Sequence, residues 1–443
     1  MIKCFYCIVL WVLYMMIPPV FAEQGEPLTL EKSIEMALRS NLAICAAKEE
    51  VKRAEFSRKS SFCEFLPELS TTYSYTNSYF ELDEDASLSK EGIGNIFMGS
   101  NDDYYDYYDF SITMEEAIYT GGALVNSYNR AKIGKDIAKV REDQTKQDIV
   151  LRVKEAYFAV LEAEKLKQLA NQAVKRIDSH VRRAREFYNA QMVPKNEVLE
   201  AEVQLAQAKQ DLIRAGNRLD VAKSLFNTVL RREINKEVEL EDILNYKPTA
   251  WKLNESTCMH IAYENRPELK ELDLVIEDAK REVKFKKSRY HPNIILTGTY
   301  LKEGETPSVE GIESWNIKAV AKWTFWKWRK TLYQVQESMT RLARTRYEKE
   351  QNKDHVTLEV KESYLNVKEA EKNIAVTEKA IEQAEENFRI SEERYKEHVG
   401  TSTEVLDAQT LLTQAKTNYY NVLGEYNIAR ARLVRSMGVV GLE

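Results

Sequence analysis

Glycine and proline are scarce, 15 and 9 among 443 residues, less than half of their usual joint share of about 12%. So small a supply of turn-forming residues leaves few chain reversals, and the elements must be long. This excludes a doubly wound α/β enzyme with a loop every dozen residues or so, as well as disorder and a collagen-like repeat. Excess charge of one sign is also missing. The 64 basic and 70 acidic side chains give a net charge of -6, which offers no attraction for nucleic acid. Of five cysteines, Cys4 and Cys7 fall inside the first apolar run; Cys45, Cys63 and Cys258 are scattered, and an odd number cannot all pair within the chain. The five histidines (His180, His260, His291, His355, His398) have no H-x-x-x-H or H-E-x-x-H spacing, so no metal site is expected. G-x-S-x-G is absent, and Gly92-Ile93-Gly94 lacks the third glycine and the strand–helix context of a nucleotide loop; neither catalysis nor a cofactor is expected.

Long apolar runs are absent after the first. Cys4 to Ile17 is an unbroken run of 14 apolar residues behind Lys3, ended by Pro18-Pro19 and followed by Val20-Phe21-Ala22. A helix needs about 20 residues to span a bilayer, so residues 1–22 read as a secretory signal. The mature chain then has no transmembrane helix, which leaves an exported protein that is soluble, surface-bound or a β-barrel.

What the chain does have is an internal repeat. Leu66-Pro67 matches His291-Pro292 at an offset of 225, as Ala37 matches Ala262 and Ile44 matches Leu269. Further on, Val153-Lys154-Glu155-Ala156-Tyr157 matches Val360-Lys361-Glu362-Ser363-Tyr364 at an offset of 207, and Glu197-Val198-Leu199-Glu200-Ala201 matches Glu404-Val405-Leu406-Asp407-Ala408 at the same offset. Each half reads helix, hairpin, long helix, turn, helix. The expected layout is a first repeat over 23–232 (hairpin about 68–118, turn about 190–196), a linker over 233–256, and a second repeat over 257–443 (hairpin about 293–326, turn about 398–403). One helix is expected over 29–65, capped by Thr29 and ended by Pro67.

In the hairpins the hydrophobic period is two. Leu69, Thr71, Tyr73 and Tyr75 alternate with Ser70, Thr72, Ser74 and Thr76; Trp315, Ile317, Ala319, Ala321 and Trp323 alternate with Asn316, Lys318 and Lys322. Trp315 and Trp323 stand at the two ends of an apolar run, as an aromatic belt does at membrane interfaces. The acidic, tyrosine-rich stretch Asp102–Asp109 reads as an exposed loop entering a strand. Four strands cannot close a barrel, since the smallest membrane barrels use 8, so copies of the same chain must complete it. The return helices carry heptad seams: Val198, Ala201, Leu205, Ala208, Leu212, Ala215, Leu219, Ala222 in one half, and Val405, Ala408, Leu412, Ala415, Tyr419, Val422, Tyr426, Ala429 in the other.

With Leu30…Ala37-Leu38…Asn41, Phe65-Leu66-Pro67, Asn265-Arg266-Pro267-Glu268-Leu269 and Glu404-Val405-Leu406-Asp407-Ala408-Gln409, the chain resembles the TolC family of outer-membrane efflux proteins over essentially its whole mature length. The resemblance implies a mainly α fold with β, a homotrimer whose 12-stranded β-barrel continues into a long α-helical barrel. It implies the outer-membrane duct of a tripartite efflux or type I secretion system, set in outer-membrane lipid, extending into the periplasm and joined to a periplasmic adaptor and an inner-membrane transporter. By motif match, Glu404 and Asp407 stand at the carboxylate positions of the periplasmic gate, with Glu197 and Glu200 as their first-half counterparts and Tyr395 as a link to Glu197. Gln191 and His398 occupy the family's usual tip glycines, and Gly400 stands where some members carry an Arg. The alternative is an exported structural coiled coil, an adhesin stalk without channel activity.

Overall fold

The computed structural model describes residues 27–79, 104–244 and 254–439; the expected signal at 1–22 lies outside them. In chain order the described elements are α1 (Leu30–Ser40), α2 (Leu42–Cys63), β1 (Glu68–Tyr79), β2 (Tyr104–Tyr119), α3 (Ala123–Asn189), α4 (Lys195–Val229), α5 (Glu255–Asn265), α6 (Pro267–Lys287), β3 (Asn293–Gly304), β4 (Ile312–Lys322), α7 (Lys330–Lys396) and α8 (Ser402–Ser436). The pairs α3/α7 and α4/α8 begin and end 207 residues apart, the sequence offset itself. Left-handed backbone recurs at the same spacing: Gly121 with Trp328, Gly122 with Arg329, Gln191 with His398 and Arg231 with Gly438.

The chain divides into two compact units, each drawn from both halves: Met1–Leu42, Lys146–Met259 and Glu359–Glu443 in one, Ala43–Thr145 and His260–Leu358 in the other. In the first unit no seam residue of α4 or α8 is exposed, and Val198, Ala201, Ala208, Leu219, Val405, Ala408, Leu412, Tyr426 and Ala429 are buried. Alternating alanine with larger side chains lets the helices approach closely while filling the seam. At the far end of this unit, the segment after α4 is pinned by buried Tyr157, whose hydroxyl donates toward Glu241 O at 2.8 Å and Leu28 O at 3.1 Å. Asn227 Nδ2 donates to Lys236 O at 2.7 Å and Ile234 O at 3.2 Å, so irregular backbone is satisfied by side chains.

The single helix expected over 29–65 is in fact two. Thr29 does cap α1, its Oγ1 accepting from Lys32 N at 3.2 Å, but Asn41 is extended (φ -68°, ψ 129°) and separates α1 from α2. Asn41 Nδ2 donates to Val229 O at 3.2 Å and Ser40 Oγ to Leu230 O at 3.1 Å. These are carbonyls that the C-terminus of α4 leaves without helical partners, so a tertiary need interrupts the local helix.

The second unit holds the sheet, an antiparallel meander in the order β1-β2-β3-β4. Its register lines up Leu69, Met114, Gly298 and Ile317 in one row and Thr71, Ile112, Tyr300 and Trp315 in the next, on one face. The opposite face carries rows of Ser70, Thr113, Thr299, Asn316 and of Glu68, Glu115, Thr297, Lys318. Directly opposed residues share a face, so one side is apolar and the other polar across all four strands. The Asp102–Asp109 stretch, expected as a loop, is strand from Tyr104 onward; Asp102 and Asp103 lie outside the described residues. Asp106 is held there by Tyr75 Oη at 2.7 Å and Asn77 Nδ2 at 2.8 Å on β1.

Candidate functional site: hairpin tips and the open sheet

The two hairpin tips are built alike. After α3, Gln191 takes φ +61°, Gln191 N donates to Tyr188 O at 2.8 Å and Met192 N to Phe187 O at 2.9 Å. After α7, His398 takes φ +59°, His398 N donates to Tyr395 O at 3.2 Å and Val399 N to Arg394 O at 2.9 Å. This is the left-handed helix stop that glycine usually occupies. The turn survives without glycine because the capping bonds and the following helix hold it. Thr401 caps α8, its Oγ1 accepting from Glu404 N at 3.3 Å, where the first half has Pro194.

Beneath the turns lies a residue that sequence reading did not single out. His180 on α3 is buried, its Nε2 is 2.7 Å from Ser402 Oγ, and its ring lies 4.9 Å from that of Tyr395. It shares the stripe of Ala173, Ile177 and Ala184 on α3, so an imidazole at a core-facing helical position was the available signal. Burial first and Arg183 second hold its pKa down to about 4, against the opposing charge of Glu392. Arg183 and Glu392 themselves pair at 3.2 Å. As pH falls below the ordinary value of 6.5, the unfolded chain takes up a proton that the packed tip refuses. The tip should therefore lose about 2 kcal/mol by pH 5 and keep full stability above pH 7. Amide exchange of the two turns, compared between pH 7.5 and 5 in wild type and His180→Gln, checks this; equal pH responses in both proteins would rule it out.

The expected gate residues fall into two sets. Tyr395 is 2% exposed, packed on His180 and on Phe187 (5.5 Å), and burial first and Glu197 second raise its phenol pKa. Its hydroxyl and Glu197 Oε2 are both buried, and neither has a hydrogen-bond partner among the described residues. Ser402 Oγ lies beside the phenol and within hydrogen-bond distance of His180 Nε2. Glu200 accepts from Thr403 Oγ1 at 3.2 Å, tying α4 to α8. Glu404 and Asp407 are exposed instead; Glu404 lies 3.9 Å from Arg394, and Asp407 has no partner among the described residues.

Farther along the same unit, α3, α4 and α8 flank an open groove of about 610 Å³, with Glu162, Gln207, Asp211, Arg214, Gln409 and Thr413 among its walls. Burial first and Glu425 second push the Glu162 carboxyl up to about 7. A carboxyl raised this way is destabilising as pH climbs from about 4.5 through 7, where the folded form must ionise with no cationic partner among the described residues. Glu162→Gln should add on the order of 1 kcal/mol at pH 8, since partial contact with water reduces the full effect, and nothing at pH 4. Thermal midpoints at the two pH values would show it, and a gain at pH 4 would contradict it.

Among the described residues no helix is long and apolar enough to cross a membrane. The sheet tells a different story. Its apolar face is exposed, Trp315 at 73% and Ile317 at 71%, and β1 and β4 each have an outer edge with no strand partner among the described residues. An amphipathic sheet with two open edges, joined to long helical hairpins, defines a protomer of a β-barrel channel that one chain cannot close. The chain belongs to the family described as outer membrane efflux protein, whose profile matches residues 33–225 and 259–439. That family is one of channels, located in the outer membrane. No curated protein sequence matches at a significant level. Among solved structures, the chain is similar to the outer membrane protein VceC from Vibrio cholerae (TM-score 0.79, 15% identity, 92% of this chain and 96% of that one). It is similar also to the CmeC outer membrane channel of Campylobacter jejuni (0.80, 14%, 92% and 85%) and to the open state of the MtrE outer membrane channel of Neisseria gonorrhoeae (0.76, 17%, 92% and 88%).

Proposed function

We propose that three copies of this chain join β1 of one to β4 of the next, closing a barrel of twelve strands set in outer-membrane lipid. The helices then continue the duct through the periplasm toward an adaptor and an inner-membrane transporter, and the duct carries exported compounds passively. The bare apolar face between two unpaired edges carries this reading, because an open edge in lipid would strand backbone donors and acceptors. A secreted coiled-coil stalk has no use for such a sheet. At the tip, exposed Glu404 and Asp407 of three copies would form carboxylate rings, while Tyr395, packed on His180 and Phe187, and Glu200, accepting from Thr403, hold the two hairpins of one copy together. Three like charges in a narrow opening favour bound cations.

Cysteines placed on the outer edges of β1 and β4, in a chain lacking Cys45, Cys63 and Cys258, should cross-link to dimers and trimers and no further. A protein released from membranes by carbonate, or one that never cross-links, would sink the barrel. In planar bilayers, Asp407→Asn should weaken the preference for cations; an unchanged preference would remove Asp407 from the gate.

A further inference from the structure

The two strand-to-helix junctions occupy equivalent places and are chemically unlike. Between β2 and α3 the chain turns at Gly121 (φ +61°) and Gly122 (φ +85°). Between β4 and α7 the same two left-handed positions hold Trp328 (φ +45°) and Arg329 (φ +63°). A bulky residue rarely adopts this backbone, and such strain persists where the side chain serves a purpose. The purpose is not packing within the chain: Trp328 is 84% exposed, and every residue from 311 to 330 is exposed. Trp326 meets Trp328 edge to face at 5.8 Å, so the two indoles form one raised aromatic surface. The same segment carries Lys322, Lys327, Arg329 and Lys330, none of them in an ion pair among the described residues, and no acidic residue occurs in the sequence between Glu313 and Glu337. The Tyr119-Thr120-Gly121-Gly122 junction carries no charge at all.

We propose that residues 322–330 bind the headgroups of anionic phospholipids at the periplasmic edge of the barrel. The inference rests on the outer-membrane reading above, which puts a strand-to-helix junction at the lipid–water boundary. Indole rings favour that boundary, and cations beside it attract anionic headgroups. Arginine can bind a phosphate through two parallel hydrogen bonds, and Trp328 and Arg329 are both exposed. One such segment per chain would give the channel a basic collar from the second repeat only.

The test is native mass spectrometry of the full-length protein released from detergent containing equal amounts of phosphatidylglycerol and phosphatidylcholine with the same acyl chains. Wild type should retain phosphatidylglycerol preferentially. K327S/R329S/K330S should lose that preference by on the order of tenfold or more. W328G/R329G, which gives the second junction the glycine pair of the first, should lose most of it too while keeping oligomer and membrane association, because glycine suits the backbone. Equal retention of both lipids by wild type, or an undiminished preference in both variants, overturns the proposal. Loss of the oligomer in W328G/R329G also overturns it, by placing the segment between copies. Release of wild type by carbonate washing is a separate result that strikes the outer-membrane reading itself.

Discussion

Gly121→Ala should cost about 3–5 kcal/mol of stability, the sum of left-handed backbone strain and overpacking. Its φ is +61°, and a Cβ there would lie 2.6 Å from Ser288 O and 2.7 Å from His291 Cβ. Ser288 is buried and belongs to the short turn Ser288–Tyr290 that delivers α6 into β3, so the contact cannot relax by rotating a side chain. The neighbouring glycine supplies the control. Gly122 also has positive φ, but a Cβ there meets only Asn126 Nδ2 at 3.6 Å. Gly122→Ala should therefore cost about 1 kcal/mol, from backbone strain alone. Thermal unfolding in detergent, with the yield of membrane-inserted protein as a second reading, separates the two. Equal losses would mean that packing against Ser288 is unimportant.

The second large effect distinguishes the faces of the sheet. Ile317 and Asn316 are neighbours near the middle of β4, in rows that lie on opposite faces. Ile317→Arg puts a charge on the apolar face and should cost about 2–4 kcal/mol at mid-bilayer depth. Asn316→Arg changes the polar face and should leave insertion near wild type while altering ion selectivity. Carbonate-resistant membrane fractions read the first effect, and bilayer reversal potentials the second. If both variants insert equally well, the apolar face does not meet lipid.

Much of the fold was legible because it rests on short-range rules. Heptad gaps foretold the buried seams of α4 and α8, and alternation foretold which residues of β1 and β4 share a face. The family resemblance set Gln191 and His398 at the tip-glycine positions, and both take left-handed backbone. What escaped was long-range in origin. Asn41 breaks a helix because of carbonyls at Val229 and Leu230, which no local propensity reports. The acidic stretch from Tyr104 is strand because Tyr75 and Asn77 supply partners for Asp106 from β1. At the tip, motif match named five residues, yet the buried contacts centre on His180, whose role depends on Ser402 and Tyr395 from other helices.

The sheet order also dictates when the barrel part of the chain can form. β1 finds β2 and β3 finds β4 as local hairpins, but the central seam joins Ile112 to Tyr300 and Tyr108 to Gly304. Closing so long a loop carries an entropic cost before any contact repays it, and such pairings form slowly. A chain delivered N-terminus first therefore carries a two-stranded ribbon with one apolar face through water until β3 arrives. An isolated two-stranded ribbon is marginally stable at best, and exposed strand edges invite aggregation. Lesions at the β2–β3 seam should accordingly reduce the amount of protein that reaches the membrane more than they reduce the stability of the protein already there.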